Sequence, residues 1–277
     1  MRLGGPLFSV TNSPEEWVKT VRDHGYRASY CPIGYDAEDH EIQAYCQAAE
    51  EADIIIAEVG AWSNPISPNQ QVRQEAIEKC QRSLQLADKI GAKCTVNIAG
   101  SRGEKWDGPD PLDLTTDTFD LIVETVRDII DAVNPKRSFY CLETMPWMYP
   151  DSADSYVELL KAIDRSGCAA HFDPVNLICS PQRYFNNGSF ITECFAKLGS
   201  YIKSCHAKDI LLQNQLTTHL DEVQPGKGYL DYTVYLRELS QLDTDIPLMM
   251  EHLQSGEEYR EAATYIRGVA EAEDICL

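Results

Sequence analysis

Four short runs place ionisable side chains directly after apolar stretches. Cys141-Leu142-Glu143, His171-Phe172-Asp173, Ser204-Cys205-His206 and Met249-Met250-Glu251 each end on a carboxylate or an imidazole. A carboxylate at the end of an apolar strand is costly to bury without a partner. For any one of them alone, an ion pair or solvation at a rim is a sufficient account. Four together, in consecutive strand-like runs, require a shared one. Three carboxylates and an imidazole, with further positions open to water or substrate, suit an octahedral divalent ion. Mn²⁺ is the first choice, with Mg²⁺, Co²⁺ or Zn²⁺ as alternatives, since zinc prefers more nitrogen or sulfur. Glu143, Asp173, His206 and Glu251 are therefore the candidate metal ligands.

Elements able to bring these residues together recur along the whole chain. Strand-like runs are expected at Arg2–Phe8, Arg27–Cys31, Ile54–Val59, Cys94–Ala99, Ser138–Glu143, Ala169–Asp173, Ile202–His206 and Ile246–Glu251. Helical patterns alternate with them, from the one opening at Ser13-Pro14 to the last at Glu257–Ala272. Ser13 is an expected N-cap with Pro14 at the first helical position. Gly91 and Asn134-Pro135 read as helix stops. Eight strand–helix units over residues 1–277 predict a single-domain α/β chain, a (β/α)₈ TIM barrel. A doubly wound sheet would carry a Gly-rich phosphate turn after an early strand, and no GxGxxG follows any strand run. In a barrel the four chemistry-bearing ends share one rim.

Composition narrows the partners. The chain has 277 residues with 24 basic and 44 acidic side chains, a formal net charge of −20. Such a charge repels phosphate backbones and anionic lipid, so neither nucleic acid nor a membrane surface is expected as a partner. Hydrophobic residues make up 43%, enough for a substantial core. The ten cysteines form no CxxC pair, and without a signal-peptide core they read as mostly buried free thiols in a cytoplasmic protein.

Those four strand ends, with Pro225-Gly226-Lys227-Gly228-Tyr229-Leu230-Asp231 before a late helix, resemble the xylose isomerase-like sugar isomerase/epimerase superfamily. The resemblance runs from Ile54 onward. It implies that Glu143, Asp173, His206 and Glu251 hold a divalent ion, which acidifies a C–H beside a sugar carbonyl and stabilises the resulting enediolate. It also implies that Glu143 and Glu251 are the catalytic acid–base pair. Two positions depart from the ketose 3-epimerase pattern, where Asn176 replaces a histidine and Leu212 an arginine, and Met145 replaces a histidine that many relatives carry.

Further rim residues are expected around the sugar. Trp62 and Trp147 offer stacking faces, with loop packing as the alternative. Asn97, Asn176 and Lys208 are candidate substrate-binding groups. Glu58 would bind hydroxyls or pair with a neighbour. His252 should turn away from the lumen unless the strand has already ended. His171, one pleat below Asp173, is either a satisfied core histidine or a partner of the metal site. The function implied is a metal-dependent isomerase or epimerase of a small-molecule sugar, as a homo-oligomer or with a small partner subunit. Alternatives are a 3-oxo-glycoside lyase or C-glycoside deglycosidase using the same C–H acidification, and a non-catalytic sugar-binding barrel.

Overall fold

Short parallel strands alternate with longer amphipathic helices throughout the computed structural model, which describes residues 1–277. The strands are β1 (Arg2–Gly4), β2 (Ala28–Ser29), β3 (Ile55–Ile56), β4 (Glu58–Gly60), β5 (Cys94–Asn97), β6 (Phe139–Glu143), β7 (Cys168–Phe172), β8 (Ile202–Ala207), β9 (Asp209–Leu212), β10 (Leu220–Val223) and β11 (Pro247–Met250). Nine of them form one sheet in the order β3-β2-β1-β11-β8-β7-β6-β5-β4. Its two ends are halves of a single run that swaps partners at Ala57. Ala57 N donates to Ser29 O on one side, and Cys94 N donates to Ala57 O on the other. The sheet therefore closes into eight staves, the expected TIM barrel in a single domain.

Local chemistry sets the helix boundaries. Ser13 caps α1 (Pro14–Asp23), which starts on proline as expected. Asn69 caps α3 (Gln70–Ile90), and Gly91 ends it in the left-handed region. Ser152 and Ser155 form a reciprocal capping box at α5 (Ala153–Ile163). The remaining helices are α2 (Asp39–Ala52), α4 (Thr116–Val133), α6 (Pro174–Leu177), α7 (Pro181–Phe185), α8 (Asn187–Leu198), α9 (Tyr232–Ser240) and α10 (Gly256–Ala272). None is long and apolar enough to cross a membrane.

Strand alternation sorts side chains into two cores. Tyr140, Leu142, Phe172, Leu248 and Met250 point outward into the main apolar layer beneath the helices. Small residues fill the lumen, with Cys94, Val96, Cys141 and Ala169 on one side and Ala28, Ala57 and Met249 on the other. Above them the inward positions turn polar. A register shift at Ala170/His171 sets His171 opposite Ser204. No cysteine is paired, and five of the ten are buried.

Three expectations needed correction. The first strand stops at Gly4 instead of Phe8, because Pro6 has no N–H to continue the ladder. The third run is broken into β3 and β4. What read as a long loop after the seventh stave contains an antiparallel hairpin, β9–β10, pairing Asp209 with Val223 and Leu212 with Leu220.

Candidate metal centre and substrate cleft

β6, β7, β8 and β11 are successive neighbours in the barrel, so their last inward side chains meet at one rim. His206 Nδ1 lies 3.0 Å from Glu143 Oε1, 2.8 Å from Glu251 Oε1 and 3.8 Å from Asp173 Oδ2. One ligand atom from each of the four residues falls within 4.8 Å of all the others. His206 and Asp173 are fully buried, and Glu143 is 5% exposed.

Neighbouring groups fix three of the four ligands. Asp173 is the N-cap of α6, where Oδ1 accepts from Val175 N and Asn176 N. Its backbone N–H donates to Thr144 Oγ1 and its carbonyl accepts from the same hydroxyl, which leaves Oδ2 facing the centre. Asn176 Nδ2 donates to Glu143 Oε1 and to Thr144 O, both at 3.1 Å. Tyr235 donates to His206 O and Tyr232 to Lys208 O, clamping the end of β8 from α9.

Lys208 continues the inward parity of Ser204 and His206 and is 2% exposed. Its Nζ lies 2.6 Å from Glu251 Oε1 and 2.8 Å from Asp173 Oδ2. These ion pairs and those with His206 are the only polar contacts of the two oxygens, which no neutral donor reaches. Burial works against the charge on Lys208, but Asp173, Glu251 and Glu143 hold its pKa well above the usual lysine value. Burial likewise opposes protonation of His206, and Glu251, Glu143 and Glu58 overcome it to raise the imidazole well above its ordinary range. Asp173 is held low against its own burial by Lys208 and His206.

The site opens into a cleft of about 700 Å³. Trp62 and Trp147, each 38% exposed, line it, as do Asn176 and Lys208. Trp62 folds back over Gly60, where a Cβ would lie 2.7 Å from the indole nitrogen. Asn97 does not reach the cleft. Val96 takes the inward position on β5, so Asn97 points outward, accepting from Ser63 N and lying 3.4 Å from Cys80 Sγ and Tyr140 OH. Glu58 pairs with His171 at 3.0 Å within the lumen. Because β11 ends at Met250, His252 (φ +61°) faces the cleft and meets Glu222 at 3.0 Å.

Sequence reasoning passed over Glu222, Tyr30, Trp106 and Tyr259, all of which line the cleft. Trp106 carried a signal, an aromatic residue in a glycine- and aspartate-rich loop; Glu222, on an edge hairpin with no clean alternation, carried none. The Gly226–Asp231 turn proves to be scaffolding. Asp209 accepts from the backbone N–H groups of Ile210, Gly226, Gly228 and Leu230, and Asp231 caps α9.

The sequence profile of the xylose isomerase-like TIM barrel family matches residues 18–269. The chain belongs to that family. No curated protein sequence matches it significantly. Among solved structures it is similar to a D-psicose 3-epimerase from Clostridium cellulolyticum H10 crystallised with D-tagatose (14% identity, TM-score 0.70, 100% of both chains). It is also similar to a xylose isomerase-like protein from Mycobacterium smegmatis in complex with magnesium (17%, TM-score 0.68, 98% of this chain and 96% of that one). A third is a 3-keto-D-glucoside 4-epimerase from E. coli in its apo form (14%, TM-score 0.68, 97% and 99%). At such identities the likeness establishes the shared barrel.

Proposed function

We propose that this protein is a divalent-metal-dependent sugar isomerase or epimerase whose ion is held by Glu143, Asp173, His206 and Glu251. The observation that carries the reading is the convergence of four ligand atoms at the floor of an open cleft, where buried Asp173 Oδ2 and Glu251 Oε1 meet no neutral donor and are balanced only by the cationic Lys208 and His206. Three carboxylate oxygens and one imidazole nitrogen fit a hard or borderline cation, Mn²⁺ first, with Mg²⁺, Co²⁺ or Zn²⁺ as alternatives. Once bound, such an ion would polarise a sugar carbonyl and its neighbouring hydroxyl and stabilise the charge left when the C–H between them loses its proton.

The remaining work belongs to the chain. Glu143 and Glu251 stand on staves separated by β7 and β8, so their carboxylates flank a substrate from two sides; one takes the proton and the other returns it. Lys208 donates to a sugar oxygen from the cleft floor, and Asn176 holds Glu143 in place while reaching a hydroxyl. Trp62 and Trp147 stack on the apolar faces of the ring and exclude water. Ten unpaired cysteines support a reducing, cytoplasmic setting.

The size of the cleft favours one second reading. At about 700 Å³, with Trp62, Trp106 and Trp147 along its walls, it offers room beyond a single sugar ring. A 3-oxo-glycoside, processed by a lyase or deglycosidase through the same C–H acidification, would use that space, and the barrel shared with the 3-keto-D-glucoside 4-epimerase supports it. A non-catalytic barrel has less support, because all four ligand positions are occupied by competent side chains.

The test is proton exchange. Mn²⁺-loaded protein is incubated in D₂O with a panel of free ketoses and aryl 3-oxo-glucosides and followed by NMR. Deuterium entering a carbon next to the carbonyl is the expected result, with aglycone release marking the second reading. Failure to exchange any member of the panel would contradict both.

A further inference from the structure

On the far edge of the His206 ring, away from the quartet, lies another carboxylate. Glu58 of β4 is 1% exposed in the barrel lumen. Its Oε1 is fully engaged: His171 Nε2 lies 3.0 Å away, and the Ser204 hydroxyl donates to the same oxygen. Its Oε2 has no hydrogen-bond partner. Neither does His206 Nε2, which faces it at 3.5 Å. Buried polar atoms are seldom left unpaired, and these two orphans sit a few tenths of an ångström beyond hydrogen-bond reach of each other.

They become donor and acceptor only when Nε2 carries a proton. A histidine that gives its Nδ1 lone pair to an ion carries its proton on Nε2, and that N–H must then be satisfied inside the lumen. Glu58 Oε2 is the acceptor positioned for it. Ser204 and His171 hold the carboxylate from its other oxygen, and the His171 ring packs edge-on to His206 with centroids 4.2 Å apart. Packing alone does not account for Glu58. Cys141, Ala169 and Met249 show that inward positions lower in the barrel are filled by small or apolar side chains, and a buried charged pair is seldom the more stable filling.

We propose that Glu58 is a positioning residue for the metal centre: by accepting the Nε2–H of His206 it fixes the tautomer and rotation of the ring, so that the Nδ1 lone pair faces Glu143, Asp173 and Glu251. The proposal rests on the reading of the quartet as a metal site. It adds a second layer reaching across the lumen from β4 to β8, with Ser204 and His171 as the supports of that layer.

Two readouts test it. Mn²⁺ affinity is measured by calorimetric titration of wild type, Glu58→Ala and Glu58→Gln, each first shown to be folded by circular dichroism. Pulsed EPR on the Cu²⁺-loaded proteins then reads the quadrupole coupling of the remote imidazole nitrogen, which reports the hydrogen bond at Nε2. Loss of an outer-layer acceptor should raise the Kd of Glu58→Ala about 10–100-fold. Glu58→Gln keeps a carbonyl oxygen facing the ring and should recover most of that affinity, with the nitrogen coupling shifted by the weaker acceptor. Unchanged affinity in Glu58→Ala overturns the proposal, as does Glu58→Gln binding as weakly as Glu58→Ala, which would mark a role of charge alone. If Glu58→Ala does not fold, the coupling in Glu58→Gln decides, and a value identical to wild type overturns it. Wild type that takes up no Mn²⁺ overturns both this inference and the quartet reading, whereas normal uptake with indifferent variants overturns this inference alone.

Discussion

His206 carries the sharpest consequence at the scale of single residues. Burial opposes its charge, yet Glu251, Glu143 and Glu58 raise its pKa well above the ordinary imidazole value. Without an ion, folding is therefore linked to a proton on this ring. The resulting stability is fully present below the unfolded value of about 6.5 and is lost as pH rises through the raised folded value. A bound cation needs Nδ1 bare, so binding must expel that proton. Mn²⁺ affinity should therefore climb from about pH 6 to about pH 8, approaching tenfold per pH unit for one proton released. Titration calorimetry in buffers of different ionisation enthalpy measures the proton directly; affinity flat across that range would show that His206 is not a ligand.

At the scale of elements, the loop between β8 and α9 decides whether the rim is ordered. Asp209 gathers four backbone N–H groups, and Gly228 passes so close that a Cβ there would lie on the Asp209 carboxylate and 2.5 Å from Ile210 O. Gly228→Ala should therefore cost about 1–3 kcal/mol, seen as a lowered Tm, with weakened activity through displaced Lys208 and Glu222. A Tm equal to wild type would mean that the turn does not brace the rim. The strands that deliver the quartet were legible because three are apolar runs ending on an ionisable side chain and the fourth, β8, repeats that ending at Cys205-His206. The hairpin was not, since Leu220-Asp221-Glu222-Val223 sits on an edge with no buried face to impose alternation. Asn97 was misjudged for a related reason. Its side is fixed by the parity of Val96 in β5, which depends on barrel register that no local pattern reports. Glu58 was legible as a group that binds hydroxyls or pairs with a neighbour, but its partners came from staves more than a hundred positions away in sequence.

For the whole molecule, the barrel turns a diffuse acidic chain into one concentrated feature. Half of the net charge of −20 lies on the helices, in α2 and α4 above all, and favours solubility. Inside the rim, Glu58, Glu143, Asp173 and Glu251 face the ammonium of Lys208 and the imidazoles of His171 and His206. A divalent cation is the simplest charge to complete that group. The eight-unit alternation made this architecture readable in advance, because period and length fit a closed barrel and no Gly-rich turn marks a doubly wound sheet. Which sugar enters the cleft depends on side chains from loops whose paths the sequence does not encode locally. The location of the ion bears most directly on the account as a whole, and anomalous diffraction from crystals grown with Mn²⁺ measures it. The account predicts one strong peak about 2 Å from Glu143, Asp173, His206 Nδ1 and Glu251, with Lys208 Nζ moved out of the gap between Asp173 and Glu251. A rim without a peak, or a peak among Glu58, His171 and His206 Nε2 instead, would contradict it.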